Sequence, residues 1–131
     1  MDYRALLDLA IEATHKAYAP YSKVHVGAAL LGKSGAVYTG VNVENASFGA
    51  TNCAERTAIF KAVSEGELTF TAIAVASNLD HPISPCGICR QVIVEFGVDI
   101  DVILGDEKHF NVYKASELLP VGFFKTELLD N

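Results

Sequence analysis

Three thiols and one carboxylate carry the chemistry open to this chain. Cys53 sits in Cys53-Ala54-Glu55-Arg56, and Cys86 and Cys89 sit in Pro85-Cys86-Gly87-Ile88-Cys89-Arg90, which together hold every cysteine in the sequence. A Cys-x-x-Cys pair after a proline, a third soft ligand upstream and an acid two residues past that ligand form the donor set of a catalytic zinc centre. Three protein ligands leave the fourth tetrahedral position for water, whereas a structural site is closed by a fourth ligand. His15, His25, His81 and His109 are the histidines available to close it, and His81 lies nearest to Cys86 in sequence. A structural site of three cysteines and one histidine therefore stays open. So does a redox dithiol, because Cys-Gly-Ile-Cys at a helix start also suits thiol–disulfide exchange. The third cysteine, with its own nearby acid, and the absence of tryptophan argue against the dithiol. Glu55 separates catalysis from scaffolding. In the first turn of a helix a glutamate ordinarily complements the dipole, but two residues from a ligand it can also move protons on a metal-activated water.

These groups need elements to hold them. From Tyr3 to Tyr18, Leu6, Leu9, Ala10, Ala13 and Ala17 recur at threes and fours and predict a helix that Pro20 stops. Val24 to Leu31 and Ala36 to Val43 read as a hairpin around Gly32-Lys33-Ser34-Gly35. Glu44 to Asn52 is an aperiodic loop, after which Thr51 or Asn52 caps a helix over Cys53 to Ser64. Leu68 to Ser77 is nearly continuously apolar, as expected of a strand covered on both faces at the sheet centre. Pro85 suits the first position of a helix running to Phe96, with Val92, Ile93 and Phe96 inward. Strands over Ile100 to Leu104 and Phe110 to Tyr113 and a helical turn over Ala115 to Leu119 complete the chain. The order predicts one α/β domain spanning residues 1–131, a three-layer α-β-α sandwich around a five-stranded mixed sheet. In that arrangement Cys53 and the Cys86/Cys89 pair open two helices, whose N-terminal partial charge favours thiolate over thiol.

Sixteen acidic and ten basic residues give a formal charge of −6, and no Lys/Arg cluster offsets it locally, which disfavours nucleic acid as a partner. No apolar run approaches the roughly 18 residues of a membrane span. With no readable secretory leader at Met1-Asp2-Tyr3-Arg4 and an odd number of cysteines, a reducing, cytoplasmic setting is expected. Half of the residues are hydrophobic, more than a small solvated monomer usually carries, so part of that surface is expected in subunit interfaces. Three thiolates outweigh the +2 of zinc, and Arg56 and Arg90 are the cations placed to offset the excess.

The motifs Pro20-Tyr21-Ser22, Val26-Gly27-Ala28-Ala29-Leu30, Gly40-Val41-Asn42-Val43-Glu44-Asn45, Cys53-Ala54-Glu55-Arg56, Pro85-Cys86-Gly87-Ile88-Cys89-Arg90-Gln91 and Leu118-Leu119-Pro120 resemble those of the small homotetrameric cytidine deaminases. The resemblance implies a cytidine deaminase-like fold with one Zn2+ per chain held by Cys53, Cys86 and Cys89. It implies water attacking C4 of cytosine in cytidine or deoxycytidine, with Glu55 as proton shuttle and Arg56 balancing the thiolates. It further implies ribose contacts from Asn42 and Glu44, and base contacts from the backbone of Ala54 and Ser84. Ala46, Phe48 and Phe123 would complete a neighbouring subunit's pocket in a tetramer with shared active sites. Val24 departs from the pattern, since phenylalanine commonly stands there against the pyrimidine, and Phe48 stands where tyrosine is frequent. A cytosine nucleoside analogue such as blasticidin S is the alternative substrate, and a non-catalytic zinc or dithiol protein is the alternative of another class.

Overall fold

A computed structural model describes residues 1–129. Its elements are α1 (Tyr3–Ala13), β1 (Val26–Gly32), β2 (Val37–Val41), α2 (Ala54–Ser64), β3 (Phe70–Ser77), α3 (Gly87–Phe96), β4 (Asp101–Gly105), β5 (Phe110–Lys114) and α4 (Ala115–Leu118), with 3-10 turns at Thr14–Lys16, Phe48–Ala50 and Lys125–Glu127. The five strands form one sheet in the order β2-β1-β3-β4-β5. Only β3 and β4 run parallel, joined through α3; the other pairs are antiparallel. The strand expected at the centre is central, and the mixed sheet has the predicted five strands.

Alternation along the strands divides the core into two layers. On one face α1 buries Leu6, Leu7 and Ala10 against Ala29, Leu31, Ala72, Ala74, Ala76 and Ile103. On the other, α2 and α3 bury Ala58, Ile59, Ala62, Ile93 and Val94 against Leu30, Ile73, Val75, Val102 and Leu104. Small side chains on β1 and β3 let the helices lie close. On β2, Gly40 acts in the same way towards α2: a Cβ there would stand 2.5 Å from the Ala54 carbonyl oxygen and 2.4 Å from the Ala58 nitrogen. That contact presses β2 onto the opening turns of α2, the helix that follows Cys53.

Several expected boundaries move for identifiable reasons. The first helix ends at Ala13, not Tyr18, where the Thr14 hydroxyl donates to the Ile11 carbonyl at 2.6 Å and the chain tightens into 3-10 geometry. Leu7 fills its inward stripe while Leu9 is exposed. Neither Thr51 nor Asn52 caps α2; Cys53 occupies the cap position without a side-chain bond, and the Asn52 amide donates to the Thr57 hydroxyl at 3.0 Å. Pro85 lies outside α3, whose cap is Cys86. β3 begins at Phe70, because Leu68 remains exposed beyond the turn at Gly66. No helix among the described residues is long and apolar enough to cross a membrane.

Gly40→Ala forces backbone atoms apart, so it is expected to lower unfolding free energy by about 1–3 kcal/mol, read from the midpoint of a denaturant titration; an unchanged midpoint would mean that α2 can withdraw from β2 at no cost.

Candidate functional site

The end of β2, the start of β1 and the end of β3 lie together, since Gly27 pairs Val41 and Val26 pairs Ser77. From this end of the sheet the chain runs through two loops into the N-termini of α2 and α3. Cys53 and Cys86 cap those helices, and Cys89 lies one turn into the second. The three sulfurs stand within 4.8 Å of one another, with Cys53 and Cys86 Sγ 3.9 Å apart. Two sulfurs bound at about 2.3 Å to one tetrahedral zinc stand about 3.8 Å apart, so the spacing and softness of the donors fit that ion. Among the described residues the cluster includes no histidine. His81 Nδ1 instead lies 3.1 Å from the Pro82 carbonyl.

The thiols are electrostatically unequal. Cys53 is pulled down to about 5, first by its hydrogen bond with Cys89 and then, against burial, by the Arg56 guanidinium. Cys89, with no exposed surface, is pushed up by the same bond and by burial. Arg56 Nη2 donates to Cys53 Sγ at 3.2 Å, while its Nε is buried without a partner among the described residues. Glu55 is only 4% exposed. Burial raises its carboxyl to about 7, the Cys53 charge adding to the effect while its own backbone N–H and Arg56 oppose it. A carboxyl poised there can both accept and release a proton near neutral pH.

A second group of predicted residues meets one loop away. The buried Asn42 side chain accepts from the Val26 N–H and donates to the Val24 carbonyl, both at 2.8 Å. Glu44 accepts from the Tyr21 N–H at 2.9 Å, the Ser22 N–H at 3.1 Å and the Ser22 hydroxyl. The Pro20-Tyr21-Ser22 and Asn42-Val43-Glu44 motifs are therefore two halves of one unit. A cavity of about 430 Å³ opens beside it, lined by Tyr21, Ser22, Glu44, Asn45, Phe48 and Thr51. The sulfur cluster does not line that cavity. Ala54 is fully buried at the start of α2, and Val24 is half-buried. Ala46, Ser84, Phe48 and Phe123 are exposed. Phe48 stands edge-on to Tyr21 with ring centroids 6.2 Å apart. Phe123 lies apart from that loop, its carbonyl accepting from Gln91 Nε2 at 2.7 Å.

Residues 1–105 match the family model described as the cytidine and deoxycytidylate deaminase zinc-binding region. The chain belongs to that deaminase family. It is 49% identical to a cytidine deaminase of Halalkalibacterium halodurans, over 99% of this chain and all of that one. The crystal structure of cytidine deaminase from Burkholderia pseudomallei superposes with a TM-score of 0.90 at 48% identity, covering 94% of this chain and all of the other. At greater distance, blasticidin-S deaminase of Bacillus cereus is 35% identical over 89% of this chain and 91% of its own. Membership makes the protein a zinc-dependent deaminase, and the sulfur cluster is the metal-suited group among its described residues.

Two residues gain roles that their types alone did not suggest. Arg90, read as a possible charge offset, donates from Nε to the Pro85 carbonyl at 2.8 Å, from Nη1 to the Leu118 carbonyl at 2.7 Å and from Nη2 to the Ser84 hydroxyl at 2.6 Å. It braces the turn before Cys86. Ser22 holds Glu44, and the serine of Pro-Tyr-Ser was the available signal. The Ser22 hydroxyl is also the first cause of the lowered Glu44 carboxyl, ahead of the two backbone donors. A carboxyl lowered on folding adds stability above its unfolded value that is lost as pH falls through its folded one. Ser22→Ala is thus expected to move Glu44 titration upward, followed by its side-chain carbon shift in NMR; an unmoved titration would leave the hydroxyl without influence on that carboxylate.

Proposed function

We propose that this protein hydrolyses cytidine and deoxycytidine to uridine and deoxyuridine with release of ammonia, a pyrimidine-salvage reaction. The observation that carries the reading is a buried carboxyl, Glu55, two residues from one member of a three-sulfur cluster. Cys53, Cys86 and Cys89 would hold the zinc, which when bound supplies the Lewis acid that makes water a nucleophile at neutral pH. Glu55 takes a proton from the water attacking C4 and passes it to ring N3, then takes the second proton from the new C4 hydroxyl and gives it to the amine, which leaves as ammonia while the C4 carbonyl forms. Its burial serves this cycle, since a carboxylate of ordinary acidity would be a weaker base toward the attacking water. Arg56 lies against Cys53 and offsets the negative charge of the thiolates.

Recognition follows from groups with spare capacity. The Ala54 N–H belongs to the first turn of α2, where helix geometry provides no intrahelical acceptor, and it suits a base carbonyl. The Ser84 carbonyl is the matching acceptor for the exocyclic amine. Asn42 spends one lone pair on Val26 at the start of β1 and one N–H on Val24 just before it, leaving a second N–H for a sugar hydroxyl, and Glu44 retains acceptor capacity. Val24 would form the wall against the pyrimidine. Ala46, Phe48 and Phe123, all exposed in a single chain, would complete a neighbour's pocket in a homotetramer. The acidic surface suits a free nucleoside over a nucleic acid, and three reduced thiols suit a cytoplasmic setting.

Purified protein is expected to convert cytidine and deoxycytidine in an ultraviolet assay with ammonia release, with cytosine and blasticidin S as comparison substrates. Inactivity on both nucleosides would sink the proposal, and activity on blasticidin S alone would redirect it to the analogue. Glu55→Gln should retain about one zinc per chain while turnover falls at least about 100-fold. Cys53→Ala or Cys89→Ala should instead lose the metal, measured by elemental analysis; full zinc content in either variant would remove that residue from the ligand set.

A further inference from the structure

The segment Lys23–His25 leads into β1, whose first residue Val26 pairs with Ser77, and the backbone from Lys23 to Val26 is bonded on both sides by asparagine side chains. On the β2 side, Asn42 follows the last residue of that strand and takes the Val26 N–H and the Val24 carbonyl, both at 2.8 Å. On the β3 side, Asn78 follows the last residue of its strand and does the same one residue out of step. Its Oδ1 accepts from the His25 N–H at 2.9 Å and its Nδ2 donates to the Lys23 carbonyl at 3.1 Å. The Asn78 N–H also donates to the His25 carbonyl at 3.0 Å, as the Asn42 N–H donates to Val26 at 3.3 Å. An amide side chain has the same donor and acceptor as a peptide, so each asparagine prolongs its strand's ladder past the point where the main chain turns away.

Val24 sits between these clamps with both peptide groups bonded, its N–H to the Ser22 hydroxyl at 3.0 Å and its carbonyl to Asn42. Lys23 beside it has φ 63°, a left-handed conformation unfavourable for a lysine, and is fixed by its N–H to Ala19 and its carbonyl to Asn78. Asn78 also opens the loop that leads to Ser84, Pro85 and Cys86. One residue thus ties the segment bearing Val24 to the strand end from which the Cys86 turn departs.

We propose that Asn78 is a positioning residue for substrate recognition: through Lys23 and His25 it fixes Val24 at the distance from the Ser84–Cys86 turn that a pyrimidine requires. The inference rests on the reading of Val24 as the wall of the base pocket. Asn78 is exposed, with its polar atoms spent on backbone, so its loss loosens the wall while leaving the sulfur cluster and Glu55 in place.

The test uses zinc-loaded protein with Asn78→Ala, Asn78→Asp, Val24→Ala and the Val24→Ala/Asn78→Ala double variant. Asn78→Ala is expected to raise KM for cytidine about fivefold, the scale of one net hydrogen bond, with kcat per bound zinc within about twofold. Asn78→Asp keeps the acceptor for His25 and loses the donor to Lys23, so its KM should fall between. Because Asn78 acts through Val24, the double variant should raise KM no further than the larger single change. Hydrogen exchange gives a readout independent of turnover: the His25 amide should exchange faster in Asn78→Ala while the Val26 amide stays protected. An unchanged KM in Asn78→Ala, an equal fall in kcat, multiplying effects in the double variant, or an unaltered His25 amide would each overturn the inference. If the unmodified chain turns over no cytidine, or Val24→Ala leaves KM unchanged, the reading beneath it fails and the inference falls with that reading.

Discussion

Burying Glu55 beside thiolate charge is unfavourable in itself, because a carboxyl taken out of water resists ionisation and a neighbouring negative charge resists it further. Both effects act on Glu55, and its acidity settles near neutrality because its own N–H and Arg56 oppose them. Arg56 is the hinge of this balance. Its Nη2 donates to Cys53 Sγ, and its Nε is buried without a partner among the described residues, so its positive charge lies against the thiols. Remove that cation and the thiol at Cys53 loses a reason to ionise, while Glu55 loses an opposing charge. The site depends on holding four titratable groups at fixed separations.

Fixed separations come from the sheet. Both helices that carry the sulfurs start from the same sheet end; α2 approaches β2 across Gly40, Ala54 and Ala58, which leave little room to slide, and α3 buries Ile93 and Val94 in the same core layer. The Cys86 turn is held again by Arg90, whose three donors reach Pro85, Ser84 and the end of α4. Such bracing suits a site in which a proton must pass between one carboxyl and successive acceptors, since small displacements lengthen every transfer.

Patterns repeated locally were legible in the sequence. The Cys-x-x-Cys spacing, the acid after Cys53 and the apolar run of β3 are each read within a dozen residues, and the structure bears out the central strand and two helices opening beside the cysteines, though each starts later than expected. What was not legible depends on contacts far apart in the chain. Thr51 and Asn52 have good capping chemistry, yet the fold turns Asn52 toward Thr57 and leaves Cys53 at the cap. Glu44 was legible as a loop acid, but its grip on Tyr21 and Ser22 spans more than twenty residues. Asn78 carries no local signal at all, because its partners Lys23 and His25 are over fifty residues away.

The asymmetry between the two halves of the site follows from the same geometry. On the chemistry side Glu55 and Cys89 are nearly inaccessible, Cys53 is half-buried and Cys86 is exposed. The side proposed for the sugar is an open cavity whose polar lining, Ser22, Glu44, Asn45 and Thr51, is faced by the edge-on pair of Tyr21 and Phe48. Phe48 is 77% exposed, a costly arrangement for an aromatic ring in water unless another surface covers it. In the proposed pocket, valine at position 24 would offer a pyrimidine less aromatic area, so discrimination would fall more heavily on hydrogen bonds and on how rigidly Val24 is held. Backbone clamped by amide side chains on both sides supplies that rigidity without adding surface, which would let a small residue serve as the proposed wall.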